Sequence, residues 1–416
     1  MHTSTPGLWH HHAFRLLWTG QTVSQFGSQI SLVALPLTAA LVLQATPLQM
    51  GVLTMAETLP FLLLSLVAGV WVDRVRRRPL LIGADLGRCA LLGVIPLAAF
   101  WGILRIELLY AVAFMVGVLT TFFEIAYQSY LPTLINRANL VEGNSKLATS
   151  QAVAEITGPG LAGGLVQLLS APLAITADAL SFLCSGLLIG AIRTPESSPP
   201  APTTPSRLRA ELAAGLRSLL SHPILRALVG CSATLNFAYG AQGAILILYL
   251  SRDLELRPAL IGTILAASNV GALAGAFIAG RVAHSFGLGH TLISSVALAI
   301  LGIVLIPLAG QWALAAVPLL IIARCFGNLG STVYTINGIS LRQRLTPLPL
   351  LGRVNAGMRF VAGGAAPIGA LLGGILGTAL GLRPTLLVGG IVGILAVGWV
   401  WWSPLHHLRD DAPPAT

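Results

Sequence analysis

Gly69-Val70-Trp71-Val72-Asp73-Arg74-Val75-Arg76-Arg77-Arg78 closes one long apolar run, residues 48–72, and leads into another, residues 79–101. Each run exceeds the ~20 helical residues that a hydrocarbon layer requires. The segment between them gathers charge at one edge of the layer. Gly69 suits close helix approach, Asp73 suits acceptance of hydrogen bonds at a helix start, and the arginines suit carbonyl ends or carboxylates. The stretch therefore reads as two membrane-spanning helices joined by a short basic loop.

The same alternation runs outward in both directions. Hydropathy and turn residues place further spans at 16–43, 108–131, 144–169 and 172–192, and then at 224–250, 258–283, 289–309, 312–339, 352–380 and 384–402. Only 9% of the 416 residues are charged, against roughly a quarter in soluble globular chains. The expected fold is an all-α membrane protein with twelve transmembrane helices in two pseudo-symmetric six-helix bundles. Its predicted parts are an N-terminal bundle at 1–192, a cytoplasmic linker with an amphipathic helix at 193–222, a C-terminal bundle at 223–405 and a cytoplasmic tail at 406–416. Within the linker, residues 194–206 are rich in Pro, Ser and Thr. Beyond them Leu208, Leu212, Leu216, Leu219 and Leu220 recur at helical spacing among Arg207, Arg209 and Arg217.

A net charge of +10 in a soluble chain would point to nucleic acid, but topology accounts for it here. Arg74, Arg76, Arg77, Arg78, Arg137, Lys146, Arg193, Arg207, Arg209, Arg217, Arg281, Arg342, Arg344 and Arg353 fall on the side of the termini, against Arg105, Arg252, Arg257 and Arg383 opposite. Both termini are expected to be cytoplasmic. Residues 1–12 lack the apolar core and cleavage site of a signal peptide, so the first span is expected to be retained. Cys89, Cys184, Cys231 and Cys325 sit in apolar runs without ligand spacing, and neither a metal site nor a cofactor is expected.

An ungapped shift of 211 residues superposes Arg15 on Arg226, Gly51 on Gly262, Gly69 on Gly280, Trp101 on Trp312 and Asn144 on Asn355. Five matches at one register, each at the same place relative to a span, indicate an internal repeat. With an even number of spans per copy, the halves have parallel topology.

Polar residues inside the spans are confined to stripes. Gln21, Gln25, Ser28 and Gln29 share one face of span 1, and Thr120, Glu124, Tyr127 and Gln128 share one face of span 4. Span 7 carries Ser232, Asn236 and Tyr239, and span 10 carries Arg324, Asn328, Ser331 and Thr335. Four such faces at matching repeat positions suit a central water-filled pathway, with Gln21, Gln25, Gln29, Tyr127, Gln128, Asn236, Tyr239, Arg324, Asn328 and Thr335 as cavity candidates. The alternative is that these groups bond neighbouring helices. Phe26, Phe123 and Phe237 beside them would suit an amphiphile or serve as packing.

At a rise of about 1.5 Å per residue, Glu57, Glu155 and Arg324 fall ~15 Å along their helices, near the midplane, with Glu124 closer to the cytoplasm and Asp178 closer to the outside. Glu124, Glu57, Glu155 and Asp178 are the candidates for proton coupling. A fixed ion pair of Glu124 or Glu155 with Arg324 is the structural alternative.

With twelve spans and a repeat, the loop at 69–78 resembles the signature of the major facilitator superfamily, Gly-x-x-x-Asp-Arg/Lys-x-Gly-Arg/Lys-Arg/Lys. Gly69, Asp73, Arg74, Arg77 and Arg78 match it, and Arg76 stands where the family has its second glycine. The resemblance implies a conformational latch formed by these residues against the start of span 11, near 352–355. Gly158, Pro159, Gly163 and Gly164 in span 5 are similar to the Gly-Pro-x-x-Gly-Gly motif of the superfamily's antiporters, with Ala162 replacing one glycine. Segments 14–27, 122–153 and 350–364 resemble the branch containing macrolide efflux proteins and the enterobactin exporter. That branch implies proton-driven export of an amphiphilic small molecule across the bacterial inner membrane by a protein expected to be monomeric.

Other classes are also weighed. No Gly-x-x-x-x-Gly-Lys-Ser/Thr loop occurs, which argues against an ATP-driven pump. An importer or proton symporter of a small nutrient is the main alternative. An intramembrane enzyme is remote, because all nine histidines read as lying at the termini or in loops.

Overall fold

The computed structural model describes residues 8–72, 74–194, 208–312 and 315–407, and among them every regular element is helical. The first half comprises α1 (His12–Leu37), α2 (Pro47–Val72), α3 (Arg77–Phe100), α4 (Ile106–Leu134), α5 (Leu140–Leu168) and α6 (Ala171–Ala191). A short α7 (Leu208–Ser221) precedes α8 (Pro223–Leu248), α9 (Pro258–Phe286), α10 (Leu288–Ala309), α11 (Ala316–Leu345), α12 (Leu348–Leu380) and α13 (Leu382–Trp401). Eleven of the twelve long helices are apolar enough to cross a bilayer. The exception, α5, is long enough at 29 residues but carries Glu142, Lys146, Gln151 and Glu155.

The repeat is visible in the backbone. Adding 211 to the bounds of α1 gives those of α8, and a π-helical turn follows each, at Thr38–Val42 and at Tyr249–Asp253. The same shift carries the starts of α2, α3 and α6 onto the starts of α9, α10 and α13. It also relates Gln44 (φ 51°) to Glu255 (φ 49°), two non-glycine residues held in the left-handed region just past those turns.

Two compact units result. One holds α1, the later part of α2 and α3 to α6, and the other holds residues 45–58 of α2 with α7 to α13. In the first, α1 packs on α6 and α5, and α3 packs on α6 and α4, around Phe14, Leu17, Leu81, Phe123 and Tyr130. In the second, α8 packs on α12 and α13, and α11 on α9 and α10. Small residues set these crossings, because lipid gives helices no hydrophobic reason to associate and backbone proximity must supply the attraction. A Cβ added at Gly302 would lie 2.5 Å from Gly327 Cα, and the start of α2 meets α12 in the same way at Gly51 and Gly374.

Three sequence expectations change. The leucine stripe of α7 is partly committed to protein: Leu219 is buried with Leu225 and Val354. His284, expected in a loop, falls in the last turn of α9, and His290, at the edge of the span expected from 289, falls in the first turn of α10, because Gly287 alone (φ 79°) makes the connection. A Cβ at Gly69 would meet nothing within 4 Å, so no close approach requires glycine there.

Gly302→Ala is expected to lower the thermal unfolding temperature in detergent, since backbone on both sides cannot yield and overpacking costs roughly 1–3 kcal/mol. Gly83→Ala, in open space on α3, is expected to raise it by up to about 1 kcal/mol of helix propensity. Equal shifts of one sign would refute this account of the α10–α11 crossing.

Candidate functional site

The first unit contains a polar cavity of about 270 Å³ between α1, α4 and α5. Helical spacing brings Gln21, Thr22 and Gln25 to one side, Tyr127 to another, and Asn144, Ser150 and Gln151 to the third. Gln21 is 5% exposed and its Nε2 has no hydrogen-bond partner, so a buried donor faces the space unused. Gln151 Nε2 donates to Glu155 Oε1 at 2.9 Å, which ties that carboxylate to the rim. Beside the cavity Trp18 Nε1 donates to the Lys146 carbonyl at 3.4 Å, and Lys146 pairs with Glu142 at 3.3 Å while lying over the Trp9 ring.

The predicted cavity residues do not all share this space. Gln29 packs against α5 instead: a Cβ at Gly158 would fall 2.4 Å from Gln29 Cβ. That gives the Gly158-Pro159 motif a packing role, while Gly164 has nothing within 4 Å. Gln128 and Glu124 are exposed on α4. In the second unit the stripe is largely spent on hydrogen bonds. Asn236 Nδ2 returns to Ser232 O at 2.8 Å, and Thr335 Oγ1 returns to Ser331 O at 2.8 Å. Tyr239 donates to Gly327 O at 3.4 Å, and Asn328 reaches Ser268 O at 3.2 Å. Arg324 stands near Tyr239 with its Nε unbonded. Glu57 is half-buried on α2 and has no hydrogen-bond or ion-pair partner among the described residues.

Of the expected latch, Asp73 lies outside the described residues. Arg78 reaches the end of α6, donating from Nε to Ile189 O at 3.3 Å and from Nη2 to Gly190 O, where carbonyls left over by the helix need partners. Arg74 is exposed, with its backbone N–H closing a turn onto Trp71 O.

The structure adds two charged residues that the sequence reading passed over. Asp85 and Arg88 form a buried ion pair on α3, at i and i+3 of an otherwise apolar run. The guanidinium lies 4.3 Å from the Phe123 ring centre and 4.0 Å from that of Phe182. Asp178 approaches from α6 and accepts from Ser181 Oγ at 3.1 Å. A Cβ at Gly27 would collide with Ser181 and Asp178, so α1 closes over this group only because that position is glycine. An acid and a base one turn apart within a span were the available signal.

Residues 3–413 match the family described as transmembrane secretion effectors. The chain is 28% identical over 371 residues to the multidrug efflux pump Tap of Mycolicibacterium fortuitum, covering 87% of this chain and 88% of that one. It is 28% identical over 423 residues to the enterobactin exporter EntS of Shigella dysenteriae, covering 98% and 95%. Its fold is similar to that of a bacterial homologue of the iron transporter ferroportin, with a TM-score of 0.77 at 18% identity over 94% of this chain and 98% of that one. The nucleoside transporter NupG gives a TM-score of 0.74 at 11% identity over 95% and 100%. With the family match spanning nearly every residue of a duplicated twelve-helix fold, the chain belongs to the major facilitator superfamily and is a multi-pass membrane transporter of its transmembrane secretion effector family.

Proposed function

We propose that this transporter exports an amphiphilic small molecule, a drug, macrolide-like compound or siderophore, from the bacterial cytoplasm in exchange for protons. Residues 1–192 and 223–405 rock about a central site, the termini lie in the cytoplasm, and a monomer suffices. The carrying observation is the cavity lined by Gln21, Gln25, Tyr127, Asn144 and Gln151. Carboxamides and a phenol offer donors and acceptors to neutral polar groups, and the aromatic ring offers a face to an apolar one. A volume of about 270 Å³ is below the ~300–1,000 Å³ of pockets that enclose a whole drug-sized ligand. The cavity therefore suits one polar portion of a larger molecule. Export is supported by the names of relatives that align along nearly their full lengths, an efflux pump and an exporter.

Proton exchange is supported by carboxylates within or beside the spans. Glu57 has no partner among the described residues, Glu155 is tied to the cavity rim through Gln151, and Asp178 is buried. Carboxylates held inside a membrane protein at such cost suit proton uptake and release as access alternates. Asp73 with Arg74, Arg77 and Arg78 would govern that alternation rather than contact substrate.

Cells producing the protein should accumulate less drug or siderophore than cells lacking it, and the difference should vanish when the proton gradient is collapsed or in Asp73→Asn. Raised accumulation would instead indicate an importer. Gln21→Leu, which removes a buried donor but keeps the volume, should raise the concentration for half-maximal export by about 2- to 10-fold, the worth of one neutral hydrogen bond. An unchanged value would take Gln21 out of the substrate site.

A further inference from the structure

Two carboxylates and one guanidinium are enclosed together in the first unit. Asp85, Arg88 and Asp178 are 0%, 4% and 2% exposed. Arg88 is paired with Asp85, its flat faces lie on Phe123 and Phe182, and it also feels the charges of Asp178 and of Glu124. Among the described residues Arg88 Nε has no hydrogen-bond partner, and the Ser185 hydroxyl of α6 stands near the Asp85 carboxylate. With both carboxylates ionised the group carries one uncompensated negative charge away from water, which is costly; a single bound proton cancels it.

Among the described residues, none of the contacts given for neighbouring elements brings a second cation to this group. Helix α1 presents Ser31 and Gly27 to Asp178, while its own His12 and Arg15 are exposed at its start. On α5, Lys146 is paired with Glu142, and Glu155 is bonded to Gln151. Helix α4 contributes Glu124 and the phenol of Tyr127, a further negative charge and a neutral group. Cys89 and Cys184, on α3 and α6, are free thiols. Arg78, at the start of α3, is occupied at the end of α6.

The 211-residue repeat isolates this feature further. The positions corresponding to Asp85, Arg88 and Asp178 are Val296, Ala299 and Gly389, so the second unit has the helices without the charges. Charge at these positions is therefore not a requirement of the fold.

We propose that Asp85, Arg88 and Asp178 form a proton-binding centre in which one proton is shared by two carboxylates around a single guanidinium. The proton arrives from water on one side of the membrane, forms an O–H bond at a carboxylate oxygen, and returns to water when access changes. A route to the cavity is built in. Phe123, against which Arg88 rests, stacks on Tyr127 with ring centres 6.1 Å apart, and Tyr127 lines the cavity. Repositioning of Arg88 as the proton binds would move that pair. The assignment deepens the proton-coupled reading above and names its site.

Infrared pH-difference spectra of the full chain in liposomes test it with protons as the only ligand. The wild type should show a protonated carboxylic C=O band that titrates, and both Asp85→Asn and Asp178→Asn should lose it. Glu124→Gln should keep it, and on a Glu57→Gln, Glu155→Gln background, which silences the other carboxylates offered above, the band should still appear and still be lost with either aspartate. A band that survives both aspartate changes, or disappears in a glutamate variant instead, overturns the proposal. Thermal unfolding shows which variants fold. Phe182→Leu spares every charge and removes one ring from the guanidinium, so it should move the titration midpoint by about half a pH unit or more; an unmoved midpoint counts against the centre. Gradient-driven export in wild-type cells is the separate measurement. Export indifferent to the gradient, beside a titrating band lost in the aspartate variants, would remove proton coupling and leave the proton site standing.

Discussion

Hydrocarbon solvates neither a peptide group nor a charge, and both the architecture and its exceptions follow from that. Backbone satisfaction within each segment permits only helices for a chain of this composition, and twelve long ones result. Every polar side chain then needs a bond, a cavity or an aqueous edge. Helix α5 is the clearest case, since its polarity would be intolerable against lipid along its whole circumference. Its Asn144, Ser150 and Gln151 line the cavity, and its Glu142–Lys146 pair sits beside the tryptophans at one end. A helix too polar to qualify as a span by composition is thus placed where polarity has a use.

Packing obeys the same constraint from the other side. With no water to expel, helices associate through close backbone contact, and the second unit does so through Gly302 on Gly327 and through Gly240 and Gly369 between α8 and α12. In the first unit Gly27 has a different role. It gives up a side chain so that α1 can lie against Asp178 and Ser181, sealing charged groups from lipid instead of tightening an apolar seam.

Span positions and the duplication were legible because they rest on properties that survive averaging: run length, turn residues and fixed register. Five matches sufficed to find a repeat that extends to paired π-helical turns and to the left-handed residues Gln44 and Glu255. The site was less legible. A polar stripe reads the same whether it faces water or a carbonyl, and the structure divides the stripes accordingly: Gln21 and Gln25 face a cavity, while Asn236 returns to its own helix and Asn328 reaches a carbonyl of α9. Asp85 and Arg88 leave no such mark in the sequence, because one acid and one base on the otherwise apolar α3 make no stripe.

Duplication followed by divergence explains how one bundle has charges that its twin lacks. Helices α3 and α10 begin 211 residues apart and pack in equivalent surroundings, yet Val296 and Ala299 fill with methyl groups the positions that Asp85 and Arg88 fill with charge. Val296 and Ala299 are fully buried, so the apolar solution packs without fault. Buried ion pairs are commonly no more stabilising than the apolar residues that would replace them. The α10 side shows such a replacement within the same molecule. Stability therefore supplies no reason for the first unit to keep its aspartates and arginine, whereas the proton centre proposed above would supply one.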